Sequence, residues 1–540
     1  MKKNLLGVSL LTITGLYVLL SAIIILVTIL LHEPVIYGIG ISIILLIIQF
    51  LVSPFLTDIS MKWFYKAKFD KDIPDYLKKF IEEVCNNEKM KYPRVGLIDD
   101  GAPNAFTYGH TKNDARIIIT RGILELLDED EVKAVVAHEL GHAVHYDMLF
   151  MTVAQLVPLV LYGIYTMLSS HDDSKKGNSN NNDNNYGQLI AIIAYILYVI
   201  SNYIILWLSR TREYYADSYS IEITKRPNSL ASALVKVGYG LTTSTNSNGK
   251  SAAAKSNALG IFDSKTSKSL VVSSYDNGEI SKENIKEAMK WEQWNIWAKW
   301  YELNSTHPLI SKRLLAISQR SKEFNEEPYI VFDLNKEESY LDDFLLELYI
   351  SYQPMIIFII GLIISVIYLS KDNLKLGGII ASVTLILSLL SSIIKFNRRH
   401  PNKNYNKTNV RNLLSEVKVS NITAIPCALE GKVIGRGDPG YIFNEDMTIQ
   451  DETGLIFLDY NQPLFIINKI YALFKNKDNI DQHIKVKGWY RRSPVPYVEI
   501  YSYEINGVTK KIFTYPLAKA FYLLGLILSV FCLIFSLIAL

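Results

Sequence analysis

The segment His138-Glu139-Leu140-Gly141-His142 has the residue types and the spacing to do chemistry. On a helix, two His at i and i+4 project from one face, one turn apart, and can bind the same zinc ion. Glu139 lies to the side of that face, where it can reach a metal-held water without being a ligand. That is the arrangement for hydrolysis by activated water. The chain has nine His, so chance rarely produces the pattern, although two surface histidines beside a salt-bridged Glu would look the same. His32, His110, His145, His171, His400 and His483 have no such arrangement and read as non-ligands.

These side chains need an ordered helix and a third ligand. Asp128-Glu129-Asp130-Glu131 opens a helix with acids where the helix dipole favours them. Val132, Val135, Val136 and Ala143 give it an apolar face, and it stands just before an apolar run. A hydrolytic zinc site takes three protein ligands plus water. Arg212-Glu213-Tyr214-Tyr215-Ala216-Asp217 follows the next apolar run just as the motif helix precedes its own. An antiparallel pair of spans would therefore bring the two segments together at one membrane face. Glu213 is the candidate third ligand, and Asp217, one turn later on the same face, could hydrogen-bond a ligand histidine. Taken alone, Glu213 is better explained by an ion pair with Arg210 or Arg212.

HELGH followed after two spans by Glu-x-x-Ala-Asp resembles the HtpX and CaaX prenyl protease family of membrane zinc metallopeptidases, the membrane gluzincins. Pro103-Asn104-Ala105-Phe106 is similar to that family's Pro-Asn-Ala-Phe segment. Ser305-Thr306-His307-Pro308, with Arg313 six residues after the histidine, resembles its Ser-Thr-His-Pro element. The resemblance covers about residues 1–320, and the chain beyond departs from the compact HtpX pattern. It implies one Zn2+ per chain on His138, His142 and Glu213, with Glu139 as general base. It also implies His307 and Arg313 at the cleft, steadying the substrate, with Asp217 behind a ligand and Asn104 aligning substrate. Read without it, His307 is a capping or structural histidine. An extended peptide could pair with the strand Ala115–Thr120.

Nearly half of the 540 residues are hydrophobic and the net charge is +3, so neither a soluble composition nor bulk attraction to nucleic acid is indicated. Three distant cysteines with no paired spacing argue against a disulfide framework or a thiolate zinc site. Seven apolar runs reach or approach membrane-spanning length: Leu5–Leu31, Val35–Leu56, Leu149–Leu168, Leu189–Leu208, Met355–Leu369, Leu376–Ile394 and Leu517–Leu540. The first reads as an uncleaved anchor, and the fifth is the weakest because it is short and starts just after Pro354. If every run spans, Thr57–Tyr146, Arg210–Tyr352 and Lys395–Tyr515, which hold most Lys and Arg, share one side with the amino terminus. That side is expected to be the cytoplasm of a cell-membrane protein.

The expected fold is a multi-pass α-helical membrane protein with a mainly α, zincin-type metalloprotease domain bearing a small β edge, and a C-terminal all-β, OB-like barrel. Its parts are an N-terminal transmembrane hairpin (1–56) and a zinc metalloprotease domain (57–352) that includes a transmembrane pair at about 149–168 and 189–208. A second hairpin (353–395), the OB-like β domain (396–515) and a last transmembrane helix (516–540) follow. Arg94–Ile98 and Ala115–Thr120 read as strands, and Gly101–Thr107 as loop or extended chain. His171–Tyr186 and Thr242–Ser274 are polar stretches unable to bury a core. In a helix over Ser281–Leu303, Trp291, Trp294, Trp297 and Trp300 form either an apolar packing face or a surface at the membrane interface. The alternating runs Val417–Ile422, Ala428–Ile434, Met447–Ile449, Leu455–Asp459, Ile484–Trp489 and Tyr497–Ile505 suggest the barrel.

The function expected is that of a membrane-bound zinc metalloendopeptidase (EC 3.4.24 class) acting on protein or peptide substrates in the bilayer, in membrane-protein quality control or processing. CaaX-type processing is the runner-up. A sensor or scaffold whose β domain binds a partner is the non-enzyme alternative. An intramembrane protease is disfavoured, because Asp128–Lys133 and His145–Asp147 place the motif outside the hydrocarbon.

Overall fold

A computed structural model of the chain describes residues 2–31, 36–101, 103–170, 183–243, 275–276, 279–332, 338–402, 404–436, 446–461, 481–493 and 495–538. His32, His171 and nearly all of the polar stretch ending at Ser274 lie outside them. The chain divides into two compact units, the first built mainly from residues up to Ser244 and from Glu302–Val331, the second mainly from Lys268–Tyr301 and Phe332–Leu540.

The first unit begins with helices α1 (Lys2–Leu31) and α2 (Ile36–Trp63). Then follow β1 (Lys68–Phe69), α3 (Asp75–Asn87), β2 (Arg94–Ile98), β3 (Ala105–Gly109), β4 (Ala115–Thr120) and α4 (Arg121–Leu126). The unit continues with α5 (Glu129–Val144), α6 (Asp147–Ser170), α7 (Asp183–Thr224) and α8 (Pro227–Thr243). The sheet order is β1-β2-β4-β3, with β2 parallel and β3 antiparallel to β4. Residues 105–107 of the stretch Gly101–Thr107, expected as loop or extended chain, belong to β3, which lies at an edge of the sheet. β4 is interior, flanked by β2 and β3, so an incoming peptide cannot pair with it; the edge strands are β1 and β3.

Helix α5 starts where the acids predict. Asp128 accepts a hydrogen bond from Glu131 N (2.9 Å), and Glu131 accepts one from Asp128 N (3.0 Å). This reciprocal cap satisfies two backbone donors at the helix start. The chain then breaks at His145–Tyr146, where Tyr146 takes the left-handed conformation (φ 59°), and Asp147 begins α6. Leu16, Leu20 and Ile23 of α1 pack against Ala154, Val157 and Leu161 of α6 and Ile190, Ala194 and Leu208 of α7. The 42 residues of α7 make a rod about 63 Å long at 1.5 Å per residue, roughly twice the hydrocarbon thickness. It is therefore longer than one crossing of the hydrocarbon requires.

Five helices among the described residues are long and apolar enough to cross a membrane: Asp147–Ser169, Gly187–Thr224, Leu341–Leu369, Leu374–Arg399 and Thr514–Ile538. The chain is a multi-pass membrane protein. The other two expected runs fall on α1 and α2, whose side chains lie partly outside the described residues. The run judged weakest belongs to a full 29-residue helix, Leu341–Leu369, with Pro354 inside it.

In the second unit the expected Trp helix is two helices, α9 (Lys282–Trp294) and α10 (Ile296–Glu302), broken at Asn295, whose Oδ1 accepts from Trp297 N (2.9 Å). Trp291, Trp294 and Trp297 are buried, so the row is a packing face. Trp291 Nε1 donates to Val419 O (2.7 Å) and Asn295 Nδ2 to Val417 O (2.8 Å). Those carbonyls are thus taken by side chains, and Ser420 Oγ accepts from Ile422 N and Thr423 N. For that reason the predicted strand Val417–Ile422 is a turn. The short strands β5 (Tyr275–Asp276) and β6 (Glu279–Ile280) pair with each other, β7 (Asn406–Lys407) pairs with β8, and β8 (Ile425–Arg436), β9 (Met447–Gln450), β10 (Leu455–Asp459), β11 (His483–Ser493) and β12 (Val495–Ile505) form a five-stranded barrel. Their order is β10-β9-β8-β11-β12, closed by a parallel β10–β12 pairing.

Candidate active site

Gly141 lets α5 and α7 cross closely. A Cβ there would lie 3.2 Å from the Ala216 Cα and 3.2 Å from the Tyr219 ring. Ser220 Oγ of α7 also donates to Ala134 O of α5 (2.6 Å). The crossing brings Glu213 and Asp217 to the histidine face. His138 Nε2 and His142 Nε2 are 3.3 Å apart, and each lies 3.6 Å from a carboxylate oxygen of Glu213. The three ligand atoms fall within 4.8 Å of one another.

This set fits a divalent ion. Two imidazole nitrogens and an anionic oxygen converge on one locus, and the buried Glu213 Oε2 makes no hydrogen bond of ordinary geometry, with His307 Nδ1 3.2 Å and Arg313 Nη1 3.5 Å away. Two imidazoles and a carboxylate suit a borderline metal. Each ring is also oriented from behind. His138 Nδ1 lies 3.0 Å from Asp217 Oδ1, and His142 Nδ1 lies 2.7 Å from Asp147 Oδ2. A proton on each Nδ1 leaves each Nε2 lone pair facing the locus. Glu139 is 3% exposed, and its carboxylate has no hydrogen-bond or ion-pair partner among the described residues.

Arg313 is fully buried and grips Asp217 with two bonds, Nε to Oδ2 (2.9 Å) and Nη2 to Oδ1 (2.6 Å). Its Nη1 lies 3.5 Å from Glu213. It thus stands behind the site, out of a substrate's reach. His307 Nδ1 is 3.2 Å from Glu213 Oε2. Asn104 is held through its backbone beside Thr120, at the start of β3. Among the described residues no hydrogen bond or ion pair joins it to His138, His142 or Glu213.

Neither arginine proposed as an ordinary partner for Glu213 is one. Arg210 Nη1 donates to the carbonyls of Glu302 and Ser305 (both 2.8 Å), which shapes the loop bearing His307. Arg212 pairs with Asp147. Sequence reasoning missed Asp147, because its approach to His142 depends on the break at Tyr146. An acid five residues beyond the second histidine was the one available signal.

Two histidines of one helix and a carboxylate of another meet beside the apolar helices α6 and α7 in an arrangement that could hold a metal ion. Comparison with known proteins gives the family. The model of peptidase family M48 matches residues 73–321. A protease HtpX homolog of Methanothermobacter thermautotrophicus is 39% identical over 192 residues, covering 35% of this chain and 68% of that protein. HtpX homologs of Picrophilus torridus (34% over 205 residues; 37% of this chain, 64% of that protein) and Aeropyrum pernix (28% over 278 residues; 50% and 81%) are also similar. A crystal structure of S. mikatae Ste24p overlaps at a TM-score of 0.35 with 18% identity, covering 55% of this chain and 62% of that one. The chain belongs to peptidase family M48 as an HtpX-like membrane metalloprotease. The matched family region ends before the second unit's barrel.

Proposed function

We propose that the chain is a zinc metalloendopeptidase of EC class 3.4.24, with His138, His142 and Glu213 as ligands and Glu139 as general base. The observation that carries this reading is the convergence of the three ligand atoms within 4.8 Å. A bound zinc ion would lower the pKa of a water and polarise the scissile carbonyl. Glu139 takes the proton of the attacking water and delivers it to the leaving amine. His307, beside Glu213, faces the same cleft and steadies the developing charge on the carbonyl oxygen. Asp217 and Arg313 hold His138 and Glu213 in place. An extended substrate pairs with the free edge of β3, aligned by Asn104 at its start. Thr107 of β3 supports this register, since its Oγ1 donates to Glu139 O (3.1 Å) and ties strand to motif helix.

The site lies where α6 enters the membrane, which favours membrane-protein segments as substrates, in quality control or processing. The distribution of Lys and Arg favours a cytoplasmic catalytic domain and β domain. The closed five-stranded barrel supports an OB-like reading of the second unit, as a structural or partner-binding module. The test is Glu139→Gln in the purified full chain. Zinc content should stay at one per chain while cleavage falls at least ~100-fold. Undiminished turnover would refute the mechanism.

A further inference from the structure

Each imidazole of the site is backed by its own carboxylate, and each carboxylate by its own buried arginine. Asp217 and Arg313 stand behind His138. Behind His142 stand Asp147 and Arg212, and this second pair reaches further. Asp147 divides its oxygens, Oδ2 to His142 Nδ1 (2.7 Å) and Oδ1 to Arg212. Arg212 uses its other terminal nitrogen to donate to Ser9 Oγ of α1 (2.7 Å), and its guanidinium lies 4.8 Å from the Phe150 ring centroid. Asp147 is 5% exposed, Arg212 2% and Ser9 0%.

We propose that Asp147 and Arg212 are positioning residues for the metal site, tethered through Ser9 to the first membrane helix. The proposal rests on reading His142 as a ligand. A carboxylate on Nδ1 fixes the tautomer and ring angle of a ligand histidine and raises its basicity. A buried carboxylate must itself be compensated, and the arginine fork does this while keeping one nitrogen for Ser9. A plain structural role would be different: Asp147 opens α6, where an acid also suits the helix dipole. That role predicts an effect on folding and none on metal affinity.

The test uses the full chain in detergent and Zn2+ alone, with affinity read by competition against a chromophoric chelator. The spectrum of the Co2+-substituted protein serves as a second readout. Asp147→Ala should weaken zinc binding about 10- to 100-fold and shift the cobalt bands. Asp147→Asn, which keeps an acceptor oxygen, should lose less, and Ser9→Ala a few-fold at most. Because Asp147→Ala strands a buried cation, Asp147→Leu/Arg212→Met removes both charges and should show the same weakening in a folded chain. If that folded double variant binds Zn2+ within twofold of the parent, the proposal is wrong. His142→Ala separates the two readings. If it binds zinc as the parent does, the ligand assignment fails. If it loses zinc while the Asp147 variants keep it, only the positioning role fails.

Discussion

Arg313→Met tests how the buried charges of the site are balanced. Arg313 is fully buried and carries two bonds to Asp217, with Glu213 3.5 Å away. Asp217 and Glu213 are themselves only 4% and 5% exposed. Methionine fills much of the volume but leaves two carboxylates facing each other without their cation. Breaking a buried pair in this way costs about 3–5 kcal/mol. For a unit of ~250 residues that corresponds to a fall of roughly 6–20 °C in the unfolding midpoint. The loss should be largest in chelator-treated protein, because a bound divalent ion offsets the charge of Glu213. Arg313→Met/Asp217→Asn removes the stranded charge with its partner and should recover more than half the stability. Its zinc affinity should nevertheless stay low, since His138 has lost its charged acceptor. The assay is thermal unfolding of the purified chain in detergent, with and without chelator, alongside a zinc titration. A drop below ~1 kcal/mol for the single variant, or no recovery in the double, would refute the charge-balance account.

Gly141→Ala gains up to about 1 kcal/mol of helix propensity, offset by the 3.2 Å approach to Ala216, so stability should change little. Because α7 must shift by a few tenths of an ångström, peptide cleavage should fall by an order of magnitude or more; full activity in a kinetic assay would contradict the close-crossing role. In the barrel, burial opposes ionisation of Glu499, but the hydrogen bond from His400 and the charge of Arg491 outweigh it and bring the carboxyl from 4.5 down to about 2. The unfolded chain therefore takes up this proton first. The stability contributed by Glu499 is complete above pH ~4.5 and lost as pH falls toward 2. Glu499→Gln should flatten that limb of an acid-unfolding curve followed by tryptophan fluorescence, and an unchanged limb would exclude Glu499 as its source.

Local rules made much of the site legible. The i, i+4 histidines, the acidic cap at Asp128 and the flanking apolar runs identify α5 and its place beside the membrane. Topology then supplies Glu213, because antiparallel spans return the chain to the same face. Asp147 was hidden because its direction is set by one left-handed residue, Tyr146. The edge position of β3 is hidden in the sequence because a five-residue strand beside a loop carries little periodic signal, whereas the β-branched run of β4 stands out. Val417–Ile422 has a strand's alternation but loses its carbonyls to Trp291 and Asn295, partners more than a hundred residues away. The helix Leu341–Leu369 is longer than its apolar run suggests because it continues through Pro354.

A single unbroken helix runs from the apolar part of α7 to Glu213. From Ser201, buried among the membrane helices, to Glu213 is 12 residues, about 18 Å along α7. A tilt of about 5° would swing Glu213 through roughly 1.5 Å, several times the ~0.2 Å that metal coordination tolerates. The packing of α7 against α1 and α6 therefore limits how far a change in membrane thickness can move Glu213, and peptide cleavage should depend on the lipid that surrounds the chain.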